Sequence, residues 1–232
     1  MCTFGETTVM FVGHYAVAYA LKAKEPKASL GMLFIAVQFV DLLFFPFALM
    51  GIEHLNFVEG YTQVNNYQME FPFTHGLAGS LVWALLAFVL YYFGLARKQD
   101  RRKGIAVVMA LAVLSHWFVD LLVHTPDLPL WYGPPKVGLG LWQHKHLTFA
   151  LEGLLLLAGW GYYMKRSQPK KRWGTFAAYA LVFFLLLINY LNFYVLPQGE
   201  DLMGLTLSAV FTYLFFGLLA YGADRGRVAM GT

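Results

Sequence analysis

The sequence predicts an all-α, polytopic membrane protein with about seven transmembrane helices, N-terminus out and C-terminus in, forming one helical membrane domain over residues 1–232. Three observations carry this expectation. Hydrophobic residues make up 59% of the chain and charged residues only 13%, about half the charged share usual in soluble domains. Seven apolar segments recur along the chain, several near the ~20 residues needed to cross ~30 Å of hydrocarbon. The basic residues also gather on alternate sides of those segments. A soluble helical domain has no use for this much apolar material, so that alternative is set aside.

The segments run at 7–22, 28–50, 75–96, 104–124, 148–164, 174–196 and 203–222. The start, "MCTFGETTVM", has neither a basic n-region nor a small-x-small cleavage site, so residues 7–22 are expected to form a retained first helix. Pro26, Pro169 and Pro197 fall between segments, where a missing amide donor does little harm. Lys22, Lys24 and Lys27 occupy the first loop, Arg97 to Lys103 the third, and Lys165 to Arg172 the fifth; Arg225 and Arg227 close the chain. Only Lys136 and Lys145 fall on the other side, and the positive-inside tendency then orients the bundle. The single cysteine, Cys2, excludes an internal disulfide framework. A net charge of +4 spread this way speaks for a membrane surface and not for nucleic acid.

Ionisable residues inside such segments are costly and point to function. The fourth segment carries His116, Asp120 and His124 at four-residue steps, which keeps them on one stripe of a helix. The second carries Gln38 and Asp41, the first His14 beside Gly13, and the fifth Glu152; His75 opens the third in "FPFTHGLAGS". At 1.5 Å per residue from the basic ends, Asp41, His116 and Glu152 lie about 20 Å up and Asp120 about 26 Å. His75 lies about 33 Å up and His14 about 12 Å, so His75 must reach inward. Each group alone has a plainer explanation. His14 suits a helix–helix hydrogen bond, Asp41 an ion or proton pathway, and His116 with Asp120 a self-contained pair. His54 sits in a polar outer loop, and His124, His144 and His146 stand near the wet boundary, where histidine needs no special cause. Together, imidazoles and carboxylates form an ordinary zinc donor set.

The order of these motifs resembles the bacterial membrane-bound metal-dependent hydrolases, some described as LexA-associated inner-membrane hydrolases. The likeness covers residues 10 to 131 and rests on His14, Asp41, Thr74-His75 and His116-x-x-x-Asp120. The family commonly places two acidic residues in the second motif, where "VQFVDLL" has Asp41 alone, and Gly76 replaces a usual serine. The same order is similar to zinc-dependent phospholipase C. That resemblance implies one metal on Asp41, His75, His116 and Asp120, and a second on Asp120 and His14. The later His-x-x-x-Glu of those enzymes is not matched, because Thr148 and Ala150 stand four residues after His144 and His146.

The resemblance implies one or two Zn2+ ions, or another divalent metal, in a hydrolase of the bacterial cytoplasmic (inner) membrane. Its partners would be membrane lipids and a lipid or amphiphilic ester or phosphoester entering near the outer leaflet. Glu152 is the expected acceptor of the water proton and His124 the expected donor to the leaving group. "HTPDLPLWYGPPK" is expected to form a turn-rich lid, with Trp131 and Tyr132 in the interfacial belt. A proton- or ion-coupled transporter or channel using Asp41 and Asp120 is the first alternative, although paired broken helices in the two halves are not evident. A non-catalytic protein with a structural metal is the second. A retinal protein lacks its lysine in the last segment, and a haem protein suits the neighbouring acids poorly.

Overall fold

The computed structural model describes residues 12–230, and helices dominate it. Helix α1 spans His14–Lys24, so the expected start of the first segment at residue 7 lies outside the described residues. Pro26 turns the chain, and the Ser29 side chain accepts from the Met32 amide (3.4 Å) to open α2, Leu30–Val37. The continuous apolar run 28–50 is not one helix. It breaks at Gln38 into α2 and α3, Phe39–Leu49, bent by 46°. Pro46 lies well beyond the break and does not cause it.

A hairpin follows, β1 (His54–Phe57) paired antiparallel with β2 (Tyr67–Glu70), His54 opposite Glu70. Helix α4, Leu77–Val89, runs on through a π-helical turn at Leu90–Leu95. Helix α5 spans Arg102–Val123, and two short strands, β3 (Leu128–Pro129) and β4 (Lys136–Val137), form the expected turn-rich segment. The long helices α6 (Lys145–Arg166), α7 (Arg172–Tyr194) and α8 (Leu202–Arg225) complete the bundle. Asp201 caps α8 by accepting from the Met203 and Gly204 amides (3.1 and 3.0 Å). Between α6 and α7, β5 (Ser167–Pro169) pairs with β6 (Arg227–Ala229).

Five described helices are long and apolar enough to cross a membrane, or six if the bent α2–α3 pair counts as one span. Their outward side chains agree with that reading. Leu85, Phe93, Phe176, Phe183, Phe211 and Leu218 are all exposed. In water so large an apolar surface would cost about 25 cal/mol for each Å², whereas lipid accepts it.

The basic ends of the helices meet. Lys22 Nζ lies 2.7 Å from Asp224, Arg101 Nη2 lies 2.8 Å from Glu25, and the Lys170 amide donates to the Gly226 carbonyl (2.8 Å). The Glu25 carboxylate holds the Arg101 guanidinium proton more tightly than usual. At the other end sits the hairpin, tied to the α7–α8 loop by Tyr67 Oη on the Gly199 carbonyl (2.9 Å) and by Gln198 on Asn66 (2.8 Å). The alternation of charge read from the sequence therefore corresponds to two chemically distinct ends of one bundle.

Small residues bring the inner helices close. A Cβ on Gly31 would stand 2.5 Å from the Gly217 carbonyl, and one on Gly159 would run into that of Ala16. Such contacts let α2 lie against α8 and α6 against α1, the packing expected where lipid offers no hydrophobic gain. The core they enclose is rich in rings: Tyr15 stacks on Phe34 at 4.3 Å, beside Phe216.

Candidate metal centre

Between the bundle and the hairpin, four elements deliver ionisable side chains to one place. His14 is the first residue of α1, and Asp41 lies in the first turn of α3. His75 lies in the turn before α4, reaching inward as its height along the helix requires, and His116 and Asp120 lie one turn apart on α5. His14, His75, His116 and Asp120 are all buried. Asp41 is the most accessible, with 20% of its side chain exposed, and it faces the cavity.

The distances are short. His75 Nε2 stands 3.1 Å from Asp41 Oδ1 and 3.6 Å from Asp120 Oδ2. His116 Nε2 stands 3.6 Å from Asp41 Oδ1 and 3.0 Å from Asp120 Oδ2. His14 Nε2 is 3.3 Å from Asp120 Oδ1, and His124 Nε2 is 3.7 Å from Asp120 Oδ2. Two triads, His14–His116–Asp120 and Asp41–His75–His116, each have ligand atoms within 4.8 Å of one another. The five residues predicted as ligands thus converge.

The far side of each ring fixes its tautomer. His116 Nδ1 is 2.6 Å from the Val37 carbonyl, which can only accept, so Nδ1 carries the proton. The helix break supplies that carbonyl: in an unbroken helix it would serve the Asp41 amide, four residues on. His124 Nδ1 donates to Asp127 Oδ1 (2.9 Å). His75 Nδ1 is 2.8 Å from Thr74 Oγ1, whose own proton goes to Glu53 Oε2 (2.7 Å). Thr74 therefore accepts from His75, and Glu53 anchors the turn further by taking the Phe73 and Thr74 amides (2.9 and 3.0 Å). In their neutral forms all three rings then turn an Nε2 lone pair toward carboxylate oxygens, His75 lying at hydrogen-bond distance from Asp41 Oδ1 (3.1 Å). Pinning Nδ1 in this way is how proteins orient metal-bound imidazoles.

Lone pairs facing carboxylates in a buried space repel unless a cation or proton lies between them. Asp120 Oδ2 makes the point: three imidazole nitrogens surround it, yet none is aligned to donate to it, and it accepts no hydrogen bond among the described residues. Ligand atoms about 2.0–2.2 Å from one tetrahedral ion stand about 3.4 Å from each other, which matches the spacing here. The donor set therefore fits a divalent metal ion. Neutral imidazoles with Asp41 and Asp120 leave two buried negative charges, the number one such ion cancels.

The remaining candidates divide. His124 joins the group, and Asp127 stands behind it. Glu152 is buried on α6, but its Oε2 accepts from the Val12 amide (3.1 Å) and it does not line the cavity beside the cluster. His54, His144 and His146 are exposed, His146 paired with the Tyr194 hydroxyl (2.9 Å). Tyr213 on α8, which drew no attention in the sequence, donates to Asp41 Oδ2 (3.0 Å). Glu53 carries no local sequence signal of this role, since it meets Thr74 from 21 residues away.

The cavity holds about 40 Å³ and is lined by His14, Asp41, His75, Asp120 and His124, by Tyr213 and Trp142, and by the hairpin residues Leu55, Tyr67 and Met69, with His116 behind this lining. That suffices for a few water molecules. The hairpin is the cover of the site. The proline-rich segment instead packs on the start of α4, where the Ala78 amide donates to the Leu130 carbonyl (3.1 Å), and its Trp131 and Tyr132 are exposed. Comparison with protein-family models, curated proteins and solved structures yields no match.

Proposed function

We propose that the chain is a membrane-embedded, metal-dependent hydrolase acting on a lipid-like ester or phosphoester at the hairpin end of the bundle. One observation carries the reading: His75 and His116, each held from behind at Nδ1, turn their Nε2 atoms to Asp41 and Asp120, with His14 and His124 also at Asp120, beside a cavity. A divalent ion such as zinc, when bound, supplies Lewis acidity and the activation of water near neutral pH. His14, Asp41, His75, His116 and Asp120 would hold it. Charge balance favours one ion over two.

His124 keeps the role of proton donor. Asp127 on Nδ1 stabilises the doubly protonated ring, leaving the Nε2 proton to face the cavity. Glu152 acts as a supporting group, since its carboxylate holds the Val12 amide just before α1 and so fixes His14. The substrate reaches the site by displacement of the hairpin, because the cavity beneath it is too small for an acyl chain. The host membrane is the bacterial inner membrane, with the basic end of the bundle inward.

The small cavity favours a second reading, a non-catalytic metal staple joining α1, α3, α4 and α5. Elemental analysis of protein purified in detergent, beside His116→Ala and Asp120→Asn, tests the metal. Stoichiometric divalent metal in the wild type and its loss in both variants are expected; equal trace metal in all three would end both readings. A screen of phospholipids and acyl lipids for released product then separates them. A fully loaded protein that is inert on every lipid would leave the staple.

A further inference from the structure

At the basic end, far from the candidate metal centre, a second cavity of about 160 Å³ lies where α1, α6 and α8 converge. Lys22, Lys27, Arg166 and Arg227 line it, with Tyr163 and Asp224. The one carboxylate is already engaged. Asp224 takes Lys22 Nζ at 2.7 Å, the Tyr163 hydroxyl at 3.0 Å and the Leu30 amide at 3.4 Å. Lys22 also donates to the Pro26 and Ala28 carbonyls (2.9 and 2.7 Å), so this pair is internally satisfied. Three positive charges remain, those of Lys27, Arg166 and Arg227.

Arg227 is the unusual one. It is only 7% exposed, an uncommon state for arginine without a full set of acceptors. Its Nε and Nη2 donate to the hydroxyl and carbonyl of Ser167 (2.9 and 2.7 Å), which fixes the guanidinium plane. Its Nη1 is buried with no acceptor among the described residues. Leaving a charged donor unsatisfied is expensive, so an acceptor belongs there. Lys27 and Arg166 are exposed at the same cavity, bringing cations from the α1–α2 turn and the end of α6.

We infer that this cavity binds a phosphate group, with the guanidinium of Arg227 as the buried anchor and Lys27 and Arg166 closing over it. A tetrahedral oxyanion offers acceptors in several directions at once, which suits a fixed guanidinium and two exposed cations on different segments. The site opens at the end of a lipid-facing bundle, where basic pockets between helices meet anionic headgroups. The ligand is thus a phosphate carried by an anionic phospholipid or free in solution.

Full-length protein in nanodiscs of equal phosphatidylglycerol and phosphatidylcholine, analysed by native mass spectrometry, distinguishes the sources when combined with thermal unfolding in inorganic phosphate or chloride of equal ionic strength. Preferential retention of phosphatidylglycerol is expected, falling about fivefold for each charge removed in Lys27→Gln and Arg166→Gln. Lys103→Gln, an exposed lysine in a separate depression, should leave it unchanged. Arg227→Gln should abolish retention; because Arg227 also holds Ser167, the two exposed variants carry the test if it fails to fold. Retention of the lipid with no response to inorganic phosphate assigns a headgroup site. Stabilisation by inorganic phosphate, lost in the same variants, assigns a free phosphate. Equal retention of both lipids and equal melting in both salts for wild type and variants would overturn the inference, leaving Nη1 to water.

Discussion

Glu53 illustrates how far a candidate metal ligand, His75, depends on what stands behind it. Its carboxylate holds Thr74, Thr74 holds His75 Nδ1, and His75 Nε2 meets Asp41 and Asp120. Removing such a partner typically lowers metal affinity 10- to 100-fold. Glu53→Gln and Thr74→Val should each show that loss in competition titrations against a chromogenic chelator. An affinity within twofold of wild type would mean that the ring is held by packing against Phe44 and Phe71 alone. Asp127→Asn should leave metal content intact but slow product release from a lipid ester, since it removes the charge behind the proposed proton donor; unchanged turnover would remove His124 from that role. At this scale much was legible beforehand. His116, Asp120 and His124 share a helical stripe by spacing, and Asp41 by height. Glu53 and Asp127 were not singled out because they sit in turns, where no periodicity ties a residue to the face it serves.

Among elements, the contact of α2 with α8 sets the position of Asp41 and the Val37 carbonyl. Gly31→Ala would press a methyl group into the Gly217 carbonyl and the backbone of Tyr221, neither of which can yield like a side chain. A loss of about 1–3 kcal/mol is expected, read as a lower melting temperature in detergent together with reduced metal occupancy. Gly222→Ala, where a Cβ meets nothing within 4 Å, should be neutral or gain up to about 1 kcal/mol of helix propensity. Equal effects at the two positions would contradict the close-approach account. The long helices followed from apolar length, and each runs within a few residues of its expected segment. The break at Gln38 did not, because an apolar run reads alike whether straight or bent. What holds the bend is His116 on Val37, a contact 79 residues apart in sequence. The hairpin was equally hidden: four-residue strands in a polar loop carry too little alternation to stand out.

For the molecule as a whole, the separation of a basic end from a hairpin end makes sidedness measurable. In a Cys2→Ser background, Lys136→Cys and Lys170→Cys should react with an impermeant thiol reagent from opposite faces of sealed vesicles; labelling from one face would overturn the alternating bundle. The path from cluster to hairpin is also short. Asp41 opens α3, Glu53 follows that helix directly, and the hairpin hangs from Glu53 and the turn that it anchors. Occupancy of the cluster should therefore be legible at the hairpin above it. Amide hydrogen exchange at Leu55 and Met69 should slow when zinc is supplied and quicken under a chelator, turning the cover of the site into its gauge.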